Sequence, residues 1–126
     1  MKKIFSTGLI AGAFMFALAS CGQQNGAVEE AQEVNEQVAE QTEMEDQMTN
    51  MSDFATEAAS TGMLEVEAGK LAQEKGQNQQ VKDYGKTMVD DHTKANDELK
   101  QLAQQKNLTL PDSMGQDHMD KMQELR

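Results

Sequence analysis

Two long stretches of helical apolar spacing, joined by only three residues, constrain this chain more than anything else in it. From Asp53 to Lys75, the residues Phe54, Ala58, Thr61, Glu65, Ala68 and Ala72 recur every three or four positions, with Leu64 and Leu71 along one flank. From about Gln79 to Lys106 the stripe is Val81, Tyr84, Gly85, Met88, His92, Ala95, Leu99, Leu102 and Ala103. Gly76 suits a helix C-cap and Asn78 the N-cap of the next helix, and so short a link makes the two helices antiparallel neighbours. Asn50 or Ser52 can cap the first helix, with Asp53 in its first turn, where the helix dipole favours an acid. Beyond Lys106 a loop ends at Leu110-Pro111, and Asp112 or Ser113 caps a short third helix through Leu125. The fold class expected is all-α.

Two polar residues interrupt these stripes. Counting back from the turn puts Glu65 level with Val89, about one helical turn from His92. Side chains lean toward the N-terminus of their own helix, so in an antiparallel pair these two lean toward each other and a Glu65–His92 contact is expected. It can be a buried pair that fixes helix register, or a pair of metal ligands. In either case, truncating one partner should cost a few kcal/mol, because the other is left unpaired.

The beginning of the chain has a different grammar. Lys2 and Lys3 precede an apolar run from Ile4 to Leu18, interrupted by the polar Ser6 and Thr7. That order reads as a secretory signal peptide, and the run falls short of the roughly 20 residues that span a bilayer. Leu18-Ala19-Ser20-Cys21 resembles the lipobox of bacterial lipoproteins, in which the cysteine is acylated and becomes the new N-terminus. Each buried methylene adds about 0.8 kcal/mol, so several chains on Cys21 hold firmly to a membrane. With its only cysteine modified, the mature chain has no thiol for a disulfide, a thiolate metal site or cysteine catalysis.

The organisation expected is therefore a lipoprotein signal peptide over residues 1–20, an acylated N-terminus with an acidic tether over 21–50, and a helical domain over 51–126. Between Gly22 and Asn50 there are eight acidic residues and no basic one. Such composition favours a solvated spacer, on the order of 30 Å end to end when flexible. A weak stripe of Ala27, Ala31, Val34 and Val38 offers a helical alternative, still as a spacer. The location that follows is the cell envelope, lipid-anchored, on the outer membrane facing the periplasm where the host has one.

Charge narrows the partners. The chain carries −11 at neutral pH, and loss of Lys2 and Lys3 with the leader takes it to −13. Nucleic acid and anionic headgroups repel such a surface, which leaves the lipid anchor as the contact with the membrane. The length supports one small domain.

Asp53-Phe54, Ala58, Gly62-Met63-Leu64-Glu65-Val66 and Gly69-Lys70-Leu71-Ala72, followed by Val81-Lys82, Met88-Val89-Asp90-Asp91-His92, Lys94-Ala95, Glu98-Leu99, Leu102-Ala103 and Leu110-Pro111, resemble the bacterial envelope family catalogued as domain of unknown function 4142. The resemblance covers roughly Asp53 to Pro111. It implies a ferritin-like four-helix bundle, exported, with no activity firmly attached to it. A full domain of that kind carries a second hairpin after the Leu-Pro loop, whereas here Met114 to Arg126 follow. The expectation is therefore an antiparallel hairpin plus a short third helix, half of a ferritin-like bundle. A homodimer, or another helical protein, would complete it, and a poorly folding truncated product is the alternative.

The ferritin likeness invites a di-iron oxidase, and the residues resist it. Ferritin-type sites take Glu-x-x-His from two helices, but Val89 stands three before His92 and Gly115 three before His118. A dimer would gather two Glu65 and two His92, enough for one weak transition-metal site. Met114, His118, Met119 and Met122 form a second candidate, a soft ligand set suited to Cu(I) or Ag(I). The same residues with Leu125 also make an ordinary apolar stripe. No phosphate loop or thiol nucleophile is present, so no enzyme and no cofactor are expected. The function expected is a structural or partner-binding lipoprotein, with metal binding as the alternative.

Overall fold

The three residues after Lys75 set the architecture. In the computed structural model, which describes residues 26–40 and 45–126, the chain forms α1 (Ala27–Ala39), α2 (Glu45–Lys75), α3 (Gln79–Lys106) and α4 (Gln116–Leu125). No strand occurs among the described residues, so the all-α expectation holds. Asn78 caps α3 as expected, its side chain accepting from the Val81 N–H at 2.9 Å. Gly76 has no positive φ, so it is not the left-handed cap that the sequence suggested. It serves close approach instead, since a Cβ there would lie 2.4 Å from the Ala72 carbonyl oxygen. The left-handed position is Asn107 (φ 55°, ψ 36°), which closes α3 with its N–H turned back to the Ala103 and Gln104 carbonyls.

Helix α2 is the spine, and the other three helices all pack on it. Its contact with α3 is built from small residues: Gly62 faces Asn96, and Gly69 faces Gly85, Met88 and Val89. That register brings His92 level with Glu65. On the other side of α2, Ser52, Thr56 and Ser60 recur every fourth residue and are buried, beside buried Ala55 and Ala59. Helices α1 and α4 cover this face. α1 runs antiparallel to α2, with Gln32 hydrogen-bonded to Asp53 and Val28 close to Gly115, whose N–H reaches Ser60. α4 runs parallel to α2, from Gly115 beside Ser60 to Arg126, whose carbonyl accepts from Lys75 Nζ at 2.7 Å. The two short helices thus meet N-terminus to N-terminus, and Glu29, Glu30 and Asp117 in their first turns offset the two positive dipole ends.

Three boundaries differ from the sequence reading. The segment expected as a tether carries α1, packed on α2 through Val28, Ala31, Asn35 and Ala39. The helical alternative read from Ala27, Ala31, Val34 and Val38 is what forms, but its buried face is offset from that stripe and centred on an asparagine. Asn35 is 1 % exposed, and its Nδ2 donates to the Thr109 carbonyl at 2.8 Å while the Thr109 N–H donates back to Oδ1 at 2.7 Å. Helix α2 begins at Glu45 rather than at Asp53, and α4 begins after Gly115 rather than after Asp112 or Ser113. Pro111 is buried and the backbone stays non-helical until Ser60 receives the Gly115 N–H. The segment expected as a signal peptide and the expected acylation site at Cys21 lie outside the described residues.

Candidate functional site

The stripes read from the sequence as a shared core face are only partly buried, and part of them lines an open trough. Phe54 is 72 % exposed, Tyr84 67 % and Leu102 55 %, although all three occupy stripe positions. Chain close-packing explains this: glycines and alanines bring α2 and α3 so near that larger side chains on the same edge are displaced outward. What results is a trough of about 840 Å³, floored by Ala58, Gly62, Ala95 and Leu99 and walled by Phe54, Thr61 and His92. Asp53 and Glu57 stand at its α2 rim, and Gln32 of α1 closes one end.

Glu65 and His92 are level and half-buried, but no hydrogen bond or ion pair joins them among the described residues. Each still reaches water, so nothing forces them together. His92 lies along the trough wall with Thr61 and Ala95 instead. Among the described residues no three His, Cys, Asp or Glu side chains converge as a metal site would require. The Met/His set is likewise dispersed. Met122 is buried, Met119 is exposed, and Met114 lines a different hollow with Met63, Val66 and Lys100.

His118 has another task, which local spacing did not disclose. Ser60 is 0 % exposed; its Oγ accepts the Gly115 N–H at 2.8 Å and lies 2.6 Å from His118 Nδ1. The set is satisfied when the hydroxyl donates to Nδ1 and Nε2 carries the ring proton, 3.7 Å from Glu57 Oε1 and 4.0 Å from Asp117 Oδ2. Serine, imidazole and carboxylate in sequence mimic a hydrolase constellation, but an acyl group has no route to an oxygen so enclosed. The network replaces the side-chain cap that Gly115 lacks and pins α4 to α2. One signal for it was in the chain, namely the Ser52-Thr56-Ser60 repeat opposite the apolar stripe.

Charge is divided between the two sides of the hairpin. On the side away from the trough, Lys70 is paired with Glu67 at 2.7 Å, and Asp90 accepts from Lys86, first by hydrogen bond and then by its charge holding that ammonium above the usual lysine value. Lys100 lines the hollows on that side. The trough itself is bordered by the acids Asp53 and Glu57, and the adjoining edge of α3 carries Asp91 and Glu98 together with Lys94 and Lys106.

A family profile described as a domain of unknown function (DUF4142) matches residues 28–126. The chain belongs to that family. The match starts within α1, so the DUF4142 region includes the helix that the sequence reading left outside the domain. No curated protein and no solved structure matches the chain. For a DUF4142 protein, then, function rests on the geometry just described, an open apolar seam with an acidic rim backed by a buried polar network.

Proposed function

We propose that this chain is an envelope lipoprotein, anchored through acylated Cys21, whose helical bundle is a non-catalytic docking module. The carrying observation is the open trough between α2 and α3, with Phe54 exposed on its wall and Tyr84 and Leu102 exposed at stripe positions of α3. Large apolar side chains in a row on a small domain mark an interaction surface. An amphipathic helix laid along the trough would bury them and complete a four-helix arrangement with α2, α3 and the α1–α4 layer. The anchoring half of the reading is supported by the order of charges, apolar run and Leu18-Ala19-Ser20-Cys21. No helix among the described residues is long and apolar enough to cross a membrane.

Site-specific photocrosslinking in intact cells tests the docking half. A benzophenone side chain at position 54 should give a discrete adduct, and the same probe at Asp120, exposed on α4, should not. Absence of any adduct at 54 would end this reading. Metabolic labelling with an alkyne fatty acid tests the anchor: the label should be present in the wild-type chain and absent from Cys21→Ala.

A further inference from the structure

We infer that the occupant of the α2–α3 trough is an amphipathic helix of another protein whose apolar stripe is flanked by lysine or arginine, an inference that rests on the docking reading above. The apolar floor supplies attraction without direction, and the rim supplies the selection. Asp53 and Glu57 border the trough on α2, and helical spacing places Asp91 and Glu98 on the corresponding edge of α3, each one residue before a trough-lining position. On the α3 edge two lysines moderate the acids: Lys94 has its Nζ 3.9 Å from Glu98 Oε1, and Lys106 continues the stripe four residues after Leu102. On the α2 rim neither Asp53, which accepts from Gln32, nor Glu57, 3.7 Å from His118 Nε2, is ion-paired with a lysine or arginine among the described residues, whereas Glu67 and Asp90 on the opposite side are.

That asymmetry separates the candidate occupants. A second copy would set acid against acid around an apolar centre, in a chain whose charge is already −11. Like charges juxtaposed across an interface oppose association. A helix with basic flanks meets the same rim with opposite sign, and its cations can lie over Asp53 and Glu57 on one edge and Asp91 and Glu98 on the other. About 18 residues at 1.5 Å each span roughly 27 Å, the distance along α3 from Tyr84 to Leu102.

The test uses the full chain in zwitterionic nanodiscs, with empty nanodiscs as the blank, and two synthetic 18-residue helices. Both carry leucine at i, i+3, i+4 and i+7; one has lysine on its flanks and the other glutamate. The lysine peptide should bind at least about tenfold tighter at low salt. Its advantage should collapse near 1 M salt, where the screening length is about 3 Å, and in the Glu57→Lys/Asp91→Lys double variant but not in Asp120→Lys. Equal binding of the two peptides would overturn the basic occupant while leaving the docking face intact. If neither binds and the probe at position 54 links two copies of this chain, the occupant is a second copy and the inference fails. If neither binds and that probe links nothing, the docking reading itself fails.

Discussion

Gly69 and Gly85 face each other backbone to backbone across the α2–α3 seam, with no room for a methyl group on either. A Cβ on Gly69 would lie 2.8 Å from the Gly85 carbonyl oxygen, and one on Gly85 would lie 2.6 Å from the Gly69 oxygen. Both obstacles are backbone, which cannot swing aside. Glycine inside a helix ordinarily costs about 0.5–1 kcal/mol against alanine, so two of them kept here point to helix approach as the compensating gain. Gly85→Ala should therefore lower stability by about 1–3 kcal/mol despite its better helix propensity. Urea unfolding checks this; a midpoint higher than wild type would show that the helices can part without loss.

The Asn35–Thr109 exchange ties α1 to the loop after α3. Asn35→Ala empties a buried side-chain position and removes both hydrogen-bond partners of the Thr109 backbone, although Thr109 is exposed and water can replace part of what is lost. The expected loss is about 1–3 kcal/mol, against less than about 0.5 kcal/mol for Val34→Thr on the exposed side of the same helix. A tether would show no difference between them in thermal unfolding.

Ser52 is buried on α2, and its Oγ has no hydrogen-bond partner among the described residues. Replacing it by alanine removes an orphaned hydroxyl and leaves a void smaller than a methyl group. Ser52→Ala should raise stability by about 1 kcal/mol. A fall in the melting temperature would mean that the hydroxyl is satisfied in solution.

Glu65 and His92 should be energetically independent although they share a level. Alanine at either is expected to cost less than about 1 kcal/mol, with a coupling below about 0.5 kcal/mol in a double-mutant cycle. Ser60 and His118, hydrogen-bonded at 2.6 Å, should instead couple by about 1 kcal/mol or more. The reverse ordering of the two cycles would restore the register-fixing role that the sequence suggested for Glu65 and His92.

Legibility followed the physics of each element. α3 was read to the residue, because a side-chain cap at Asn78 and a regular stripe are local signals. α4 was displaced because its start is set by Ser60, 55 residues away, and not by Asp112 or Ser113 nearby. α1 was read first as a spacer because its acidic composition favours solvation, and periodicity could not credit Asn35, whose polar side chain is buried only through the distant Thr109. The trough was half legible: its residues were identified, but their exposure was not.

By itself the sequence determined that this chain is all-α, that α2 and α3 form a hairpin, and that α3 runs from Gln79 to Lys106, since period, caps and link length act over a few residues. Only the tertiary structure decided which stripe is buried. Small residues at Gly62, Gly69 and Gly85 draw α2 against α3, the Ser52-Thr56-Ser60 face takes α1 and α4, and Phe54, Tyr84 and Leu102 are left facing water. A helical pattern shows that a face is apolar, but what covers it depends on how closely backbones far apart in the chain can approach.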